Sequence, residues 1–240
     1  MKPVDIDFIK GWVRTSLIDY PGKIATVIYT AGCNLRCPIC HNPELINAPN
    51  RYDAITLSEI FDYLNRRKGV IDGIVITGGE PLFHVDMVSL LEQLRALPVA
   101  IKLDTNGCYP ERLQEIIERK LVDMIAMDIK SSKPLYAQLT GVKMDNSKAI
   151  ERSLTILKQS GISYEIRTTV IPGVIDRGVI AEIVNWIAPV QQYALQQFRP
   201  VITLDPNYRK LEPISDYELN EMLELARQCI PDVSVRGLIS

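Results

Sequence analysis

Short apolar runs alternate along the chain with longer stretches in which apolar residues return every three or four positions. The runs at 24–30, 73–77, 99–103, 124–128, 164–171 and 193–198 are the length of single strands and predict buried β-structure. Between them Leu57, Ile60, Phe61 and Leu64 share one helix face, as do Met87, Leu90, Leu91 and Leu94, and later Ile180, Ile183, Val184 and Ile187. Boundary residues agree. Thr56 precedes Glu59 by three positions and Ser215 precedes Glu218 by three, the spacing at which two side chains satisfy each other's free helix N–H groups. Pro110 suits the first turn of a helix carrying Leu113, Ile116 and Ile117. A last helix buries Leu219, Met222, Leu223 and Ala226.

Six strand-then-helix units in a row predict parallel strands joined by right-handed crossovers, in a doubly wound sheet or a full or partial barrel. With no linker, repeat or low-complexity segment, the expectation is one α/β domain over residues 1–240. Its core spans about 20–200 and its terminal helix about 215–229, beyond a long connection at 200–213.

Charge and leader signals narrow the setting. Lys and Arg total 27 against 29 Asp and Glu, without a long basic run, so neither nucleic acid nor an anionic membrane is expected as a partner. Residues 1–5 do not open an apolar leader, and nowhere do about 18 apolar residues run together. A soluble, cytoplasmic protein is expected. Five cysteines, three of them at positions 33, 37 and 40, make a poor disulfide framework and a better metal or redox site.

Those three thiols directly follow the first predicted strand. Iron–sulfur clusters take four cysteines as a rule, so three leave one iron open to another molecule. A zinc site completed by His41 or a distant ligand is the alternative, since thiolates bind zinc equally well. Other polar residues collect at predicted strand ends, where barrels place their functional groups. Gly78, Gly79 and Glu80 follow the second strand; Asp104, Thr105, Asn106 and Gly107 follow the third; Asp128 and Lys130 end the fourth. Glycines there would let main chain approach a ligand, or simply make a turn. Arg167 lies in the fifth strand, where an inward arginine serves either a ligand or a structural ion pair.

The spacing of three and then two residues between the cysteines resembles the signature of the radical S-adenosylmethionine superfamily. The segments Gly78-Gly79-Glu80-Pro81, Asp104-Thr105-Asn106-Gly107, Asp128-Ile129-Lys130 and Arg167 to Gly173 resemble those of its glycyl-radical-enzyme activating enzymes. Thr15-Ser16-Leu17-Ile18-Asp19-Tyr20-Pro21-Gly22-Lys23 and Cys40-His41-Asn42-Pro43-Glu44 look most like the activating proteins of anaerobic ribonucleoside-triphosphate reductases, and are similar to pyruvate formate-lyase activating enzymes.

The resemblance implies a partial (β/α)6 TIM-like barrel and a 4Fe-4S cluster on Cys33, Cys37 and Cys40. The open iron would be chelated by S-adenosylmethionine, whose reductive cleavage yields a 5′-deoxyadenosyl radical. It further implies that Gly78, Gly79 and Glu80 meet the methionine amino group, that Lys130 pairs with the methionine carboxylate, and that Asp104, Thr105, Asn106, Asp128, His41 and Arg167 line the pocket. Ile39 stands where the family often has an aromatic residue near the adenine. The pocket histidine of pyruvate formate-lyase activating enzymes has no counterpart after His84. The implied partners are a glycyl radical enzyme, an anaerobic ribonucleotide reductase first, and an external one-electron donor such as flavodoxin or ferredoxin. A radical enzyme acting on a small molecule or making another protein modification, and a non-catalytic metal-stabilised interaction module, are the competing readings. Cys108, Cys229, Trp12 and Trp186 are read as structural.

Overall fold

The computed structural model describes residues 6–143 and 146–237. Residues 1–5, which bear on any leader, and the two ends of the 1–240 domain span lie outside them. Among the described residues eight strands follow one another in chain order through the sheet. They are β1 (Ile9–Ser16), β2 (Ala25–Thr30), β3 (Gly73–Gly78), β4 (Ala100–Thr105), β5 (Met124–Asp128), β6 (Ser163–Val170), β7 (Tyr193–Gln197) and β8 (Val233–Arg236). The helices between them are α1 (Pro43–Asn47), α2 (Leu57–Arg66), α3 (Met87–Leu94), α4 (Pro110–Glu118), α5 (Tyr136–Thr140), α6 (Ser147–Ser160), α7 (Arg177–Ile187) and α8 (Asp216–Arg227). All six expected strands are present to within two residues at either end, and β1 and β8 are additional. Among the described residues no helix is long and apolar enough to cross a membrane.

The chain divides into two compact units that alternate along the sequence. The first holds the chain through Asn34, then Asn42–Thr105 and Glu111–Ile125; the second holds Leu35–His41, Asn106–Pro110 and the chain from Ala126 onward.

In the first unit β2, β3 and β4 pair in parallel, with Ala25 opposite Gly73 and Thr30 opposite Gly78, and Gly73 opposite Ala100. Their C-terminal ends therefore share one edge. Ala25, Val27, Val75 and Met124 form a buried cluster around Tyr20, a residue of the β1–β2 connection. β1 runs antiparallel to β2. Only its first and last residues are fully buried, so its sequence lacks the apolar run that marks the central strands.

Helix α2 shows how the local sequence commits itself. The Thr56 hydroxyl accepts from the Glu59 N–H, and the Glu59 carboxylate accepts from the Thr56 N–H. The buried face is Leu57, Ile60, Tyr63 and Leu64, with Tyr63 taking the place expected for the half-buried Phe61. Each such aliphatic side chain stabilises the fold by roughly 1.5–3 kcal/mol.

In the second unit β6, β7 and β8 are parallel, with Ile166 opposite Tyr193 and Tyr193 opposite Val233. Helix α8 opens on the second capping box, Ser215 with Glu218, and buries Leu219, Met222 and Ala226. Cys229, just beyond its end, is exposed.

Candidate cofactor-binding residues

In the first unit the approach to Cys33 is fixed by main chain. Residues 30–32 leave β2 and are held on both sides. The Ala31 N–H donates to Phe8 O and the Gly32 N–H to Leu45 O, both at 2.8 Å. The Gly79 N–H donates to Thr30 O at 2.8 Å and the Glu80 N–H to Gly32 O at 2.9 Å. Asn42 Nδ2 donates to Gly78 O at 3.1 Å, and the His84 ring nitrogen Nε2 lies 2.5 Å from Ala31 O.

The two glycines are required by this packing. A Cβ on Gly79 would stand 1.9 Å from Gly32 O, and one on Gly78, whose φ is +120°, would stand 2.4 Å from both Thr30 N and Thr30 O. Their freedom serves the approach of one protein backbone to another, a reason the sequence alone does not distinguish from approach to a ligand.

Glu80 is 1% exposed, and its Oε1 accepts from the Leu82 N–H at 3.0 Å and the Thr105 hydroxyl at 2.7 Å. Asp104 and Thr105, expected beyond the strand, are the last two residues of β4. Asp104 takes the buried Lys102 ammonium at 2.6 Å, and the polar run Asp104-Thr105-Asn106-Gly107 is what makes the strand read as ending at 103.

In the second unit the rest of the cysteine loop is tied down separately. The Arg36 N–H donates to Thr140 O at 2.8 Å, the Cys40 N–H to Cys37 O at 3.0 Å and the Asp205 N–H to Pro38 O at 2.9 Å. Cys37, Ile39 and Cys40 are half-buried, and His41 is exposed with its Nε2 3.1 Å from Arg199 O. Asn106 is buried and its Oδ1 accepts from the Cys108 N–H at 3.0 Å, closing the turn at Gly107.

Asp128 ends β5 between two cations. Its Oδ2 is 2.8 Å from Lys130 Nζ and its Oδ1 is 2.8 Å from Arg167 Nε. The neighbouring main chain keeps the three in place, since the Ile129 N–H donates to Arg167 O at 2.9 Å and the Thr168 hydroxyl to Ile129 O at 3.0 Å. Burial would raise the Asp128 carboxyl, but Arg167 and Lys130 outweigh it and hold the group well below the usual carboxylate range. Burial would lower Lys130, but Asp128 outweighs it and keeps the ammonium charged. The Cys37 thiol is pushed up to about 11 by burial, against the opposing pull of Lys130.

The donor sets fit the groups that the resemblance implies. Cys33, Cys37 and Cys40 are free of disulfides and none is fully buried, and soft thiolates are the ligands that iron–sulfur clusters take. Lys130, Asp128 and Arg167 offer both signs of charge to a ligand carrying an amino group and a carboxylate. Lys130 and Arg167 already share Asp128, so a bound carboxylate would join an existing ion pair. Glu165 and Arg236 belong to the same row of charges and were missed by sequence reasoning. Glu165 precedes Arg167 by two positions and so shares its strand face, the one signal that could have found it.

The profile of the Radical SAM superfamily matches residues 27–184, and the chain belongs to that superfamily. Its members are enzymes that use a 4Fe-4S cluster and S-adenosylmethionine, and the three cysteines fit their motif. The non-catalytic reading is thereby set aside.

Among individual relatives, the chain is 33% identical over 234 residues to a Methanocaldococcus jannaschii protein assigned as a glycyl-radical enzyme activating enzyme, covering 96% of both chains. It is 28% identical over 214 residues to the pyruvate formate-lyase-activating enzyme of Clostridium pasteurianum, covering 86% of both. Of solved structures, Streptococcus suis SuiB superposes with a TM-score of 0.65 at 19% identity over 88% of this chain; the chain spans about half of SuiB, 49%. QueE of Escherichia coli superposes with a TM-score of 0.56 at 16% identity, covering 96% of this chain and 93% of QueE. These likenesses speak for the fold, the partial TIM-like barrel of the superfamily.

Proposed function

We propose that this chain is an activating enzyme that draws a hydrogen atom from a backbone glycine of a partner glycyl radical enzyme, with an anaerobic ribonucleotide reductase as that partner. The observation that carries the reading is likeness along the whole length, 96% of each chain, to the archaeal protein assigned to that activity. The choice of a ribonucleotide reductase rests on the resemblance of residues 15–23 and 40–44. Part of that resemblance belongs to the fold, because Tyr20 packs in the core and Asn42 holds Gly78 O.

When bound, the cluster and S-adenosylmethionine supply a one-electron cleavage that leaves a carbon radical able to take hydrogen from a C–H bond. The chain's own residues bind and aim. Cys33, Cys37 and Cys40 would hold the cluster by their thiolates. Lys130 offers its ammonium to the methionine carboxylate, while Arg167 keeps Asp128 ionised and turned to accept from the amino group. The main chain at Gly78 and Gly79, the polar residues Glu80, Asp104, Thr105 and Asn106, and Ile39 and His41 line the remainder. Abstraction needs the glycine held in contact with the radical carbon and water kept away, so the partner's loop enters this protein for the step. The electron comes from an external donor of the flavodoxin or ferredoxin kind.

The test mixes reduced, cluster-loaded protein with S-adenosylmethionine and a ribonucleotide reductase under anaerobic conditions. A glycine-centred doublet in the electron paramagnetic resonance spectrum is expected. Consumption of a small molecule with no such signal on any glycyl radical enzyme would overturn the reading.

A further inference from the structure

Glu165 and Arg236 extend the row of charges that begins at Lys130. Glu165 lies on β6, is 1% exposed, and its two oxygens take the Arg236 guanidinium at 3.0 and 2.5 Å. Arg236 is the last residue of β8. On the other side of the same carboxylate, Arg167 Nη1 stands 4.0 Å from Glu165 Oε1, while its Nε is 2.8 Å from Asp128 Oδ1. Arg167 thus faces two carboxylates, and Arg236 forks onto one of them.

A carboxylate this deeply buried must keep a cation, because an unpaired buried charge is strongly destabilising. Were Arg236 to lose its charge, Arg167 is in place to compensate. Turning toward Glu165 would draw its Nε off Asp128 and leave Asp128 to Lys130.

We infer that Glu165 and Arg236 form a positioning pair: Arg236 neutralises Glu165, so that Arg167 stays on Asp128 and the Asp128–Lys130 pair keeps the orientation that receives the charged methionine end of S-adenosylmethionine. Neither residue touches the ligand in this arrangement. The last strand, which closes the row, thereby takes part in ligand binding. The inference rests on the proposed role of Asp128, Lys130 and Arg167.

The experiment is equilibrium binding of S-adenosylmethionine to the oxidised, cluster-loaded protein, in which no turnover occurs, with iron content and melting temperature recorded for each variant. Arg236→Gln is expected to weaken binding by about tenfold or more at unchanged iron content, because Arg167 is drawn from Asp128 toward Glu165 and the sheltered charges that face the ligand lose their arrangement. The double variant Glu165→Gln with Arg236→Gln is expected to bind within about threefold of the unaltered protein, because the Glu165 carboxylate no longer draws Arg167 away. Arg236→Lys, which keeps the charge, is expected to lie between the two.

A structural role alone would leave the double variant as weak as the single one, and that result would overturn the inference. If Arg236→Gln does not fold, the double variant decides alone, and a loss beyond about threefold counts against the pair. Lys130→Ala separates the two levels. Unchanged binding in Lys130→Ala defeats the reading of the site itself, whereas weakened binding there with unchanged binding in Arg236→Gln defeats only the positioning pair.

Discussion

The two units supply their share of the candidate residues from different materials. In the first, the approach to Cys33 is held by main-chain hydrogen bonds at Thr30, Ala31 and Gly32, and two glycines make room for them. In the second, Lys130, Asp128, Arg167, Glu165 and Arg236 alternate in sign along one row of ion pairs. A site held by backbone contact is broken by adding an atom, since a packed main chain has nowhere to move. A site held by charge is broken by changing a sign, and tolerates changes of shape that keep the sign.

The largest effect is expected at the cysteines, which belong to both units. If Cys33, Cys37 and Cys40 are the proposed cluster ligands, replacing any one by alanine leaves too few thiolates to hold it, and each variant should lose its iron and its visible absorbance. A full and active cluster in any of the three would refute the ligand assignment. Gly79→Ala comes next. With its Cβ 1.9 Å from Gly32 O, the main chain must separate, and the loss of stability should exceed about 3 kcal/mol in a denaturant titration. A wild-type midpoint would mean that residues 30–32 are not held as described.

Lys130→Ala acts on charge alone. Cluster loading should be intact while S-adenosylmethionine affinity falls by about 2 kcal/mol, near the low end for a sheltered pair because a quarter of the side chain is exposed. Arginine at the same position should recover part of that loss, in contrast to Gly79, where no larger residue is tolerated. The smallest effect is reserved for a residue outside both arrangements. Thr56→Ala removes the cap of α2 and should cost about 1 kcal/mol of stability with no change in ligand affinity. A change in affinity would show that α2 is coupled to the site.

Much of this was legible in the sequence. The strand at Met124–Asp128, both capping boxes and Pro110 at the head of α4 stand where local pattern put them, because burial, capping and backbone restriction there all favour the same structure. The edge strand β1 was hidden by its half-exposed middle and β8 by its four-residue length. The end of β4 was hidden by Asp104 and Thr105, polar residues that open a turn-like run, of which Asp104 is held within the strand by the buried Lys102.

Among the candidate site residues, the cysteines and the Asp128–Lys130 spacing are legible in the sequence because they stand within a few positions of one another. The Glu165–Arg236 pair joins residues 71 apart in sequence and becomes visible only when β6 and β8 are placed. Tyr20 is the reverse case, a residue inside a functional-looking segment that packing claims for the core.

Hydrogen transfer from a partner glycine to the adenosyl carbon is the step on which the whole account depends, and isotopic labelling reads it directly. A ribonucleotide reductase carrying deuterium on its glycine α-carbons is incubated with the reduced, cluster-loaded protein and S-adenosylmethionine, and the 5′-deoxyadenosine formed is weighed by mass spectrometry. One deuterium is expected in each nucleoside made during activation. Unlabelled 5′-deoxyadenosine, formed in the presence of a partner that gains no radical, would contradict it.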